Sequence, residues 1–147
     1  KKTSDTKKPI ILSTGMSTLE EIDHAVSILD KENLSILHCT STYPSKNNEL
    51  NLKCIPAFKE KYKVPIGYSG HELGIQTSIA AVALGANIIE RHVTLDRSMF
   101  GSDQPASLEI GGFAKLIRDI RVIESAMGDG KKKVYDSELP ILKKLRR

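Results

Sequence analysis

Asn87-Ile88-Ile89-Glu90-Arg91-His92-Val93-Thr94-Leu95-Asp96 begins as an apolar run and ends in polar residues, where a loop is expected to start. Read as one strand, its period of two puts Glu90, His92 and Thr94 on one side and Ile89, Arg91 and Val93 on the other. A carboxylate, an imidazole and a hydroxyl on one face of an apolar strand are costly to bury without partners. Ligands of parallel α/β proteins bind at the carboxyl ends of the strands. Upstream, Pro65-Ile66-Gly67-Tyr68-Ser69-Gly70-His71-Glu72 repeats the arrangement, again with a histidine at its end. Two histidines at the ends of consecutive parallel strands can converge on one ion.

The chain around these stretches falls into strand–helix units. Pro9 to Ser13 is a short apolar strand, broken by Gly15, and Ser17-Thr18-Leu19-Glu20 has the form of a capping box that opens a helix. Ile22, Ala25, Val26 and Leu29 supply that helix's buried stripe, with His24 on the solvent side. Leu34 to Ser41 is the second strand, followed by a polar loop to Asn51 and a helix around Lys53 to Tyr62. Val64 to Ser69 is the third strand, and Gly74 to Leu84 is a buried helix. After the opening stretch comes a long loop, Arg97 to Gly112. Phe113, Leu116, Ile117, Ile120, Ile123 and Met127 then make an amphipathic helix that Gly128 caps. The order is βαβαβαβα, which implies a parallel sheet. A (β/α)8 barrel takes roughly 250 residues, so four consecutive β/α units are half of one.

At 147 residues, with 39% hydrophobic and 27% charged side chains, the chain has the composition of one ordinary globular domain. Its net charge of +4 is unevenly spread. Lys1, Lys2, Lys7 and Lys8 against Asp5 give +3 at the start, and residues 131–147 give +5, which leaves −4 between them. Basic residues gathered at the termini are not the basic stripe of a nucleic-acid interface. No run approaches the ~20 apolar residues of a membrane span. Cys39 and Cys54 are too few for a disulfide framework and read as reduced thiols of a cytoplasmic protein. No Gly-x-Gly-x-x-Gly follows a strand, which speaks against a dinucleotide site.

The four strand ends read Ser13-Thr14-Gly15-Met16-Ser17, His38-Cys39-Thr40-Ser41-Thr42-Tyr43-Pro44, Gly67-Tyr68-Ser69-Gly70-His71-Glu72 and Ile89 to Asp96. Gly101-Ser102-Asp103-Gln104-Pro105-Ala106-Ser107-Leu108-Glu109 follows. In this order and spacing they resemble the sialic acid synthase family, over Pro9 to about Arg147. The resemblance is to the carboxyl-terminal half of that family's TIM-type barrel. It implies that residues 1–147 lack the amino-terminal half and any antifreeze-like domain.

What the resemblance implies is a metal-dependent condensation of phosphoenolpyruvate with N-acetylmannosamine, its 6-phosphate or a related acylated sugar, giving a sialic-acid-type product and phosphate. It makes His71 and His92 ligands of a divalent ion, manganese before magnesium or cobalt. Ser41 and Ser69 become contacts to phosphoenolpyruvate, with Ser41 standing where asparagine is frequent. Tyr43, Glu90 and Asp103 face the sugar and the reacting carbons, with Glu90 and His92 in the catalytic set. Ile110 and Gly112 replace an expected proline and glutamate, which touches a helix start and not the chemistry. The full-length protein is expected to be a cytoplasmic homodimer, and the isolated half to be inactive, because lysines to hold the phosphate are scarce at these strand ends.

Plainer readings stand beside these. A strand-end histidine is more often packing than a ligand, and His38 is read as structural. Ser41 and Ser69 can be caps, Tyr43-Pro44 a turn and Asp103 a loop acceptor. Another metal-dependent aldolase on the same barrel, or a non-catalytic half-barrel binding a partner, remains the alternative.

Overall fold

A computed structural model of the chain describes residues 2–146. Strands β1 (Ile10–Ser13), β2 (Leu34–Cys39), β3 (Ile66–Gly70) and β4 (Ile88–Arg91) form one sheet in the order β1-β2-β3-β4. Every neighbouring pair is parallel, in a register running Ser13↔Leu37, Cys39↔Ser69 and Ser69↔Glu90. Helices α1 (Leu19–Ser27), α2 (Cys54–Tyr62) and α3 (Gln76–Ala83) are the crossovers between them. Short βαβ connections of this kind leave parallel pairing as the available arrangement.

The register divides the sheet into two unlike faces. Leu34, Ile36, Ile66 and Tyr68 pack with Ile22, Val26, Ile55, Phe58, Tyr62 and Ala81 of the helices, and this is the main core. The opposite face carries Leu37, Cys39, Gly67, Ser69 and Glu90. All of β3 is buried, whereas β1 and β4 are partly exposed, and Ile11 of β1 is 57% exposed. Among the described residues β1 and β4 are therefore open edges. Gly67 makes the central close approach: a methyl there would lie 2.4 Å from Leu37 Cδ2 and 2.6 Å from the Ile88 carbonyl oxygen.

Three expectations from the sequence need correction. The opening stretch is not one strand: β4 stops at Arg91, and Val93–Thr94 (β5) pairs instead with Leu108–Glu109 (β6) in a separate two-stranded sheet. The alternation therefore fails beyond His92, and Thr94 is buried with its hydroxyl donating to the Asp96 carbonyl at 3.1 Å. The capping box is one residue later than expected, with Thr18 at the cap and Glu21 returning the bond to the Thr18 N–H at 2.7 Å. The long helix, α4 (Ile110–Met127), starts three residues before Phe113, because β6 delivers the chain directly into it. Its Leu116 joins Ile75 and Leu108 in a smaller cluster that holds α4 on α3. A last helix, α5 (Leu139–Leu145), follows Gly128, which caps α4 at φ 61°. No described helix is long and apolar enough to cross a membrane.

Candidate active site

The carboxyl ends of β2, β3 and β4 bring their polar side chains to one rim. His71 follows β3 and His92 follows β4, and their ring centroids lie 5.1 Å apart with the planes at 87°. Tyr43, from the loop after β2, packs over both, with centroids 4.3 Å from His71 and 5.4 Å from His92. Burial raises the pKa of the Tyr43 hydroxyl, and nearby Cys39, Asp103 and Glu90 add to it, so it is a neutral donor at pH 7.

Backbone geometry fixes the tautomer of His71. Its Nδ1 lies 2.9 Å from the Thr40 carbonyl oxygen, which can only accept, so Nδ1–H donates and Nε2 keeps its lone pair. His71 is 4% exposed. His92 is more open, with its side chain 34% exposed and Nδ1 facing Asp103 Oδ2 at 3.5 Å. A carboxylate at that distance from Nδ1 leaves Nε2 of His92 free of this contact. Asp103 is itself held at its carbonyl by the Ser107 hydroxyl, 2.8 Å away, and the Ala106 N–H, 3.1 Å away.

Ser69, 2% exposed, donates to Glu90 Oε1 at 2.7 Å, as the Ser69↔Glu90 register requires. Ser41 lies 3.4 Å from Cys39 Sγ, which in turn is 3.9 Å from His71 Nδ1. The loop after β1 reaches Ser41 because Gly15 has no side chain: a methyl there would lie 1.9 Å from Ser41 Oγ. Ser41, Tyr43, His71, His92 and Asp103 are thus linked, through Cys39 at the Ser41 end, and the Ser69–Glu90 pair lies alongside, with Ser69 opposite Cys39 in register. His38 stands apart, as expected of a structural residue. Its Nε2–H donates to the Leu50 carbonyl at 2.6 Å, its ring packs on Phe58, and burial lowers its pKa.

Among the described residues no group of three or more His, Cys, Asp or Glu side chains is arranged to hold a metal. An ion at this rim would have His71 and His92 as its protein ligands, an imidazole pair that suits a manganese-like ion with open positions for oxygen donors. A 480 Å³ cavity lined by Lys59, Asn87, Arg121 and Glu124 lies away from the rim, between the helices.

Sequence reasoning overlooked Cys39, whose thiol bridges Ser41 and His71, and the pairing of Glu72 with Arg91 directly behind the rim. The second had a visible signal: two charged residues, each beside one of the histidines, at the ends of apolar strands.

Residues 1–132 match the model of the NeuB family. The chain is 49% identical over 143 residues to N,N'-diacetyllegionaminic acid synthase of Campylobacter jejuni, covering 94% of this chain and 43% of that protein. It is 41% identical over 147 residues to human N-acetylneuraminate-9-phosphate synthase, covering 98% of this chain and 41% of the enzyme. The crystal structure of an N-acetylneuraminic acid synthetase from Leptospira borgpetersenii superposes with a TM-score of 0.85 at 40% identity, covering 99% of this chain and 53% of that one. The chain spans less than half the length of these curated relatives. With this match over most of its length, the chain belongs to the NeuB family.

Proposed function

We propose that this chain is the carboxyl-terminal half of a (β/α)8 barrel that condenses phosphoenolpyruvate with an N-acylated mannose-type sugar, in the manner of a nonulosonic acid synthase. The observation that carries this reading is the cluster itself. Two imidazoles from consecutive strand ends meet under Tyr43 beside the Ser69–Glu90 pair, in a chain whose relatives are named as synthases of legionaminic and N-acetylneuraminic acid.

In the reaction the enol carbon of phosphoenolpyruvate attacks the sugar aldehyde and forms the new carbon–carbon bond. Water adds to the phosphate-bearing carbon, and the carbon–oxygen bond to phosphate then breaks. A divalent ion, manganese by preference, held by His71 and His92 would polarise the aldehyde oxygen as a Lewis acid. Glu90, oriented by the Ser69 hydroxyl, takes a proton or fixes a sugar hydroxyl. Tyr43 and Asp103 face the sugar, with the Tyr43 phenol as a donor. Ser41 and Ser69 contact phosphoenolpyruvate. Arg91, which directly precedes His92, has its guanidinium engaged by Glu72. The cations that hold a phosphate and a carboxylate therefore belong to the remainder of the barrel.

The test is phosphate release from phosphoenolpyruvate and N-acetylmannosamine with manganese, by the 147-residue chain alone and mixed with the amino-terminal half of a relative. Activity in the mixture, lost in His92→Ala, is expected. A folded, assembled mixture without phosphate release overturns the synthase assignment, and release by the chain alone overturns the placement of the phosphate-binding cations.

A further inference from the structure

Behind the rim lies an ion pair with no part in the chemistry above. Arg91 and Glu72 have side chains 1% and 0% exposed, with Nη1 and Oε1 3.0 Å apart. Glu72 also accepts from the Tyr68 hydroxyl at 2.8 Å, from Ser78 at 3.4 Å and from Thr77. Arg91 donates to the Gly74 carbonyl at 2.8 Å, the Ser78 hydroxyl at 2.9 Å, the Glu72 carbonyl at 2.6 Å and the Ala106 carbonyl at 3.4 Å.

The chain positions of these groups give the network its meaning. Glu72 directly follows His71, and Arg91 directly precedes His92. One guanidinium, itself at the end of β4, holds the Glu72 and Gly74 carbonyls of the loop that follows His71 and the Ala106 carbonyl of the turn that accompanies Asp103. A buried ion pair is weak evidence for stability, because apolar residues of the same volume commonly do as well. A planar fork joining two carbonyls of the loop after β3 to one of the turn before β6 does what an apolar pair cannot: it fixes the spacing of the two loops.

We propose that Glu72 and Arg91 are positioning residues that set the orientation of His71 relative to His92. The inference rests on the reading of those two histidines as a ligand pair. Two variants separate positioning from packing. Arg91→Lys keeps the charge and loses the fork; Glu72→Leu/Arg91→Met removes both charges. Leu116→Ala, in the separate α3–α4 cluster, is the control for general destabilisation. Manganese alone is titrated into each chain by electron paramagnetic resonance. Long-range 1H–15N spectra of the imidazoles, taken without metal, report the His71 tautomer.

Arg91→Lys is expected to weaken manganese uptake by about 10- to 100-fold and to replace the single Nδ1–H signature of His71 by a mixture. The double variant is expected to regain thermal stability yet keep the weak uptake and the mixed His71 signal, and Leu116→Ala to change neither. A folded double variant with the parent's uptake and His71 signature overturns the proposal. If the parent takes up no manganese, the ligand reading fails, and the metal-free imidazole spectra still decide the positioning role.

Discussion

The ends of β3 and β4 carry the same residue type and are built in opposite ways. His71 is 4% exposed, donates to a backbone carbonyl at 2.9 Å and is followed by a fully buried carboxylate. His92 sits in the gap between β4 and β5, with a side chain 34% exposed and an Asp103 carboxylate that is 50% exposed. One imidazole is preset by the interior; the other depends on a surface loop.

The largest test of that contrast is to unpair the interior side. Arg91→Ala leaves Glu72 buried without its partner and is expected to cost about 3–5 kcal/mol in urea unfolding. Asp103→Asn at the His92 end is expected to stay within about 0.5 kcal/mol. Equal losses at the two ends would erase the difference between them.

Glycines sharpen the comparison with effects of opposite sign. Gly67→Ala forces a methyl against the Leu37 side chain and the Ile88 backbone near the start of β3, and should cost about 1–3 kcal/mol. Gly112→Ala, in α4 beyond the β4 end, meets nothing nearer than Leu108 Cδ2 at 3.9 Å and should stabilise by roughly 0.5–1 kcal/mol through helix propensity. Both are read from denaturation midpoints, and a destabilised Gly112→Ala would mean that the region after β4 is as tightly fitted as β3.

A smaller effect separates His38 from the rim histidines. Burial lowers its pKa in the folded state, so the unfolded chain binds its proton first as the pH falls. The stability that neutral His38 contributes is complete above its unfolded value near 6.5 and is lost as pH falls from there toward the lowered folded value. Unfolding free energies between pH 7.5 and 5 should therefore decline, and His38→Gln, which keeps a donor for the Leu50 carbonyl, should flatten part of that decline. An identical slope in the variant would remove His38 from the acid response.

Much of this was legible in the residues because the governing pattern was strong. Four short apolar runs separated by helical stripes leave few topologies, and parallel crossovers place all strand ends on one side. That is why His71 and His92 could be set on one rim before any coordinates, whereas Ser41 and Ser69 entered only through the family resemblance. The break at His92 was not legible, because Val93 and Thr94 have ordinary strand chemistry and their pairing with Leu108 and Glu109 is non-local. The one-residue displacement of the α1 cap reflects two candidate acids, Glu20 and Glu21, at neighbouring positions. Arg91 was assigned only a side of the strand; its partner lies across the sheet, a separation that no local period encodes.

The most direct test is manganese binding by the 147-residue chain and by His71→Ala and His92→Ala. One ion per folded chain, lost in each single variant while the fold persists, is the expected result. Uptake unchanged in both variants, or none by the folded parent, would contradict the assignment of these two histidines to one metal.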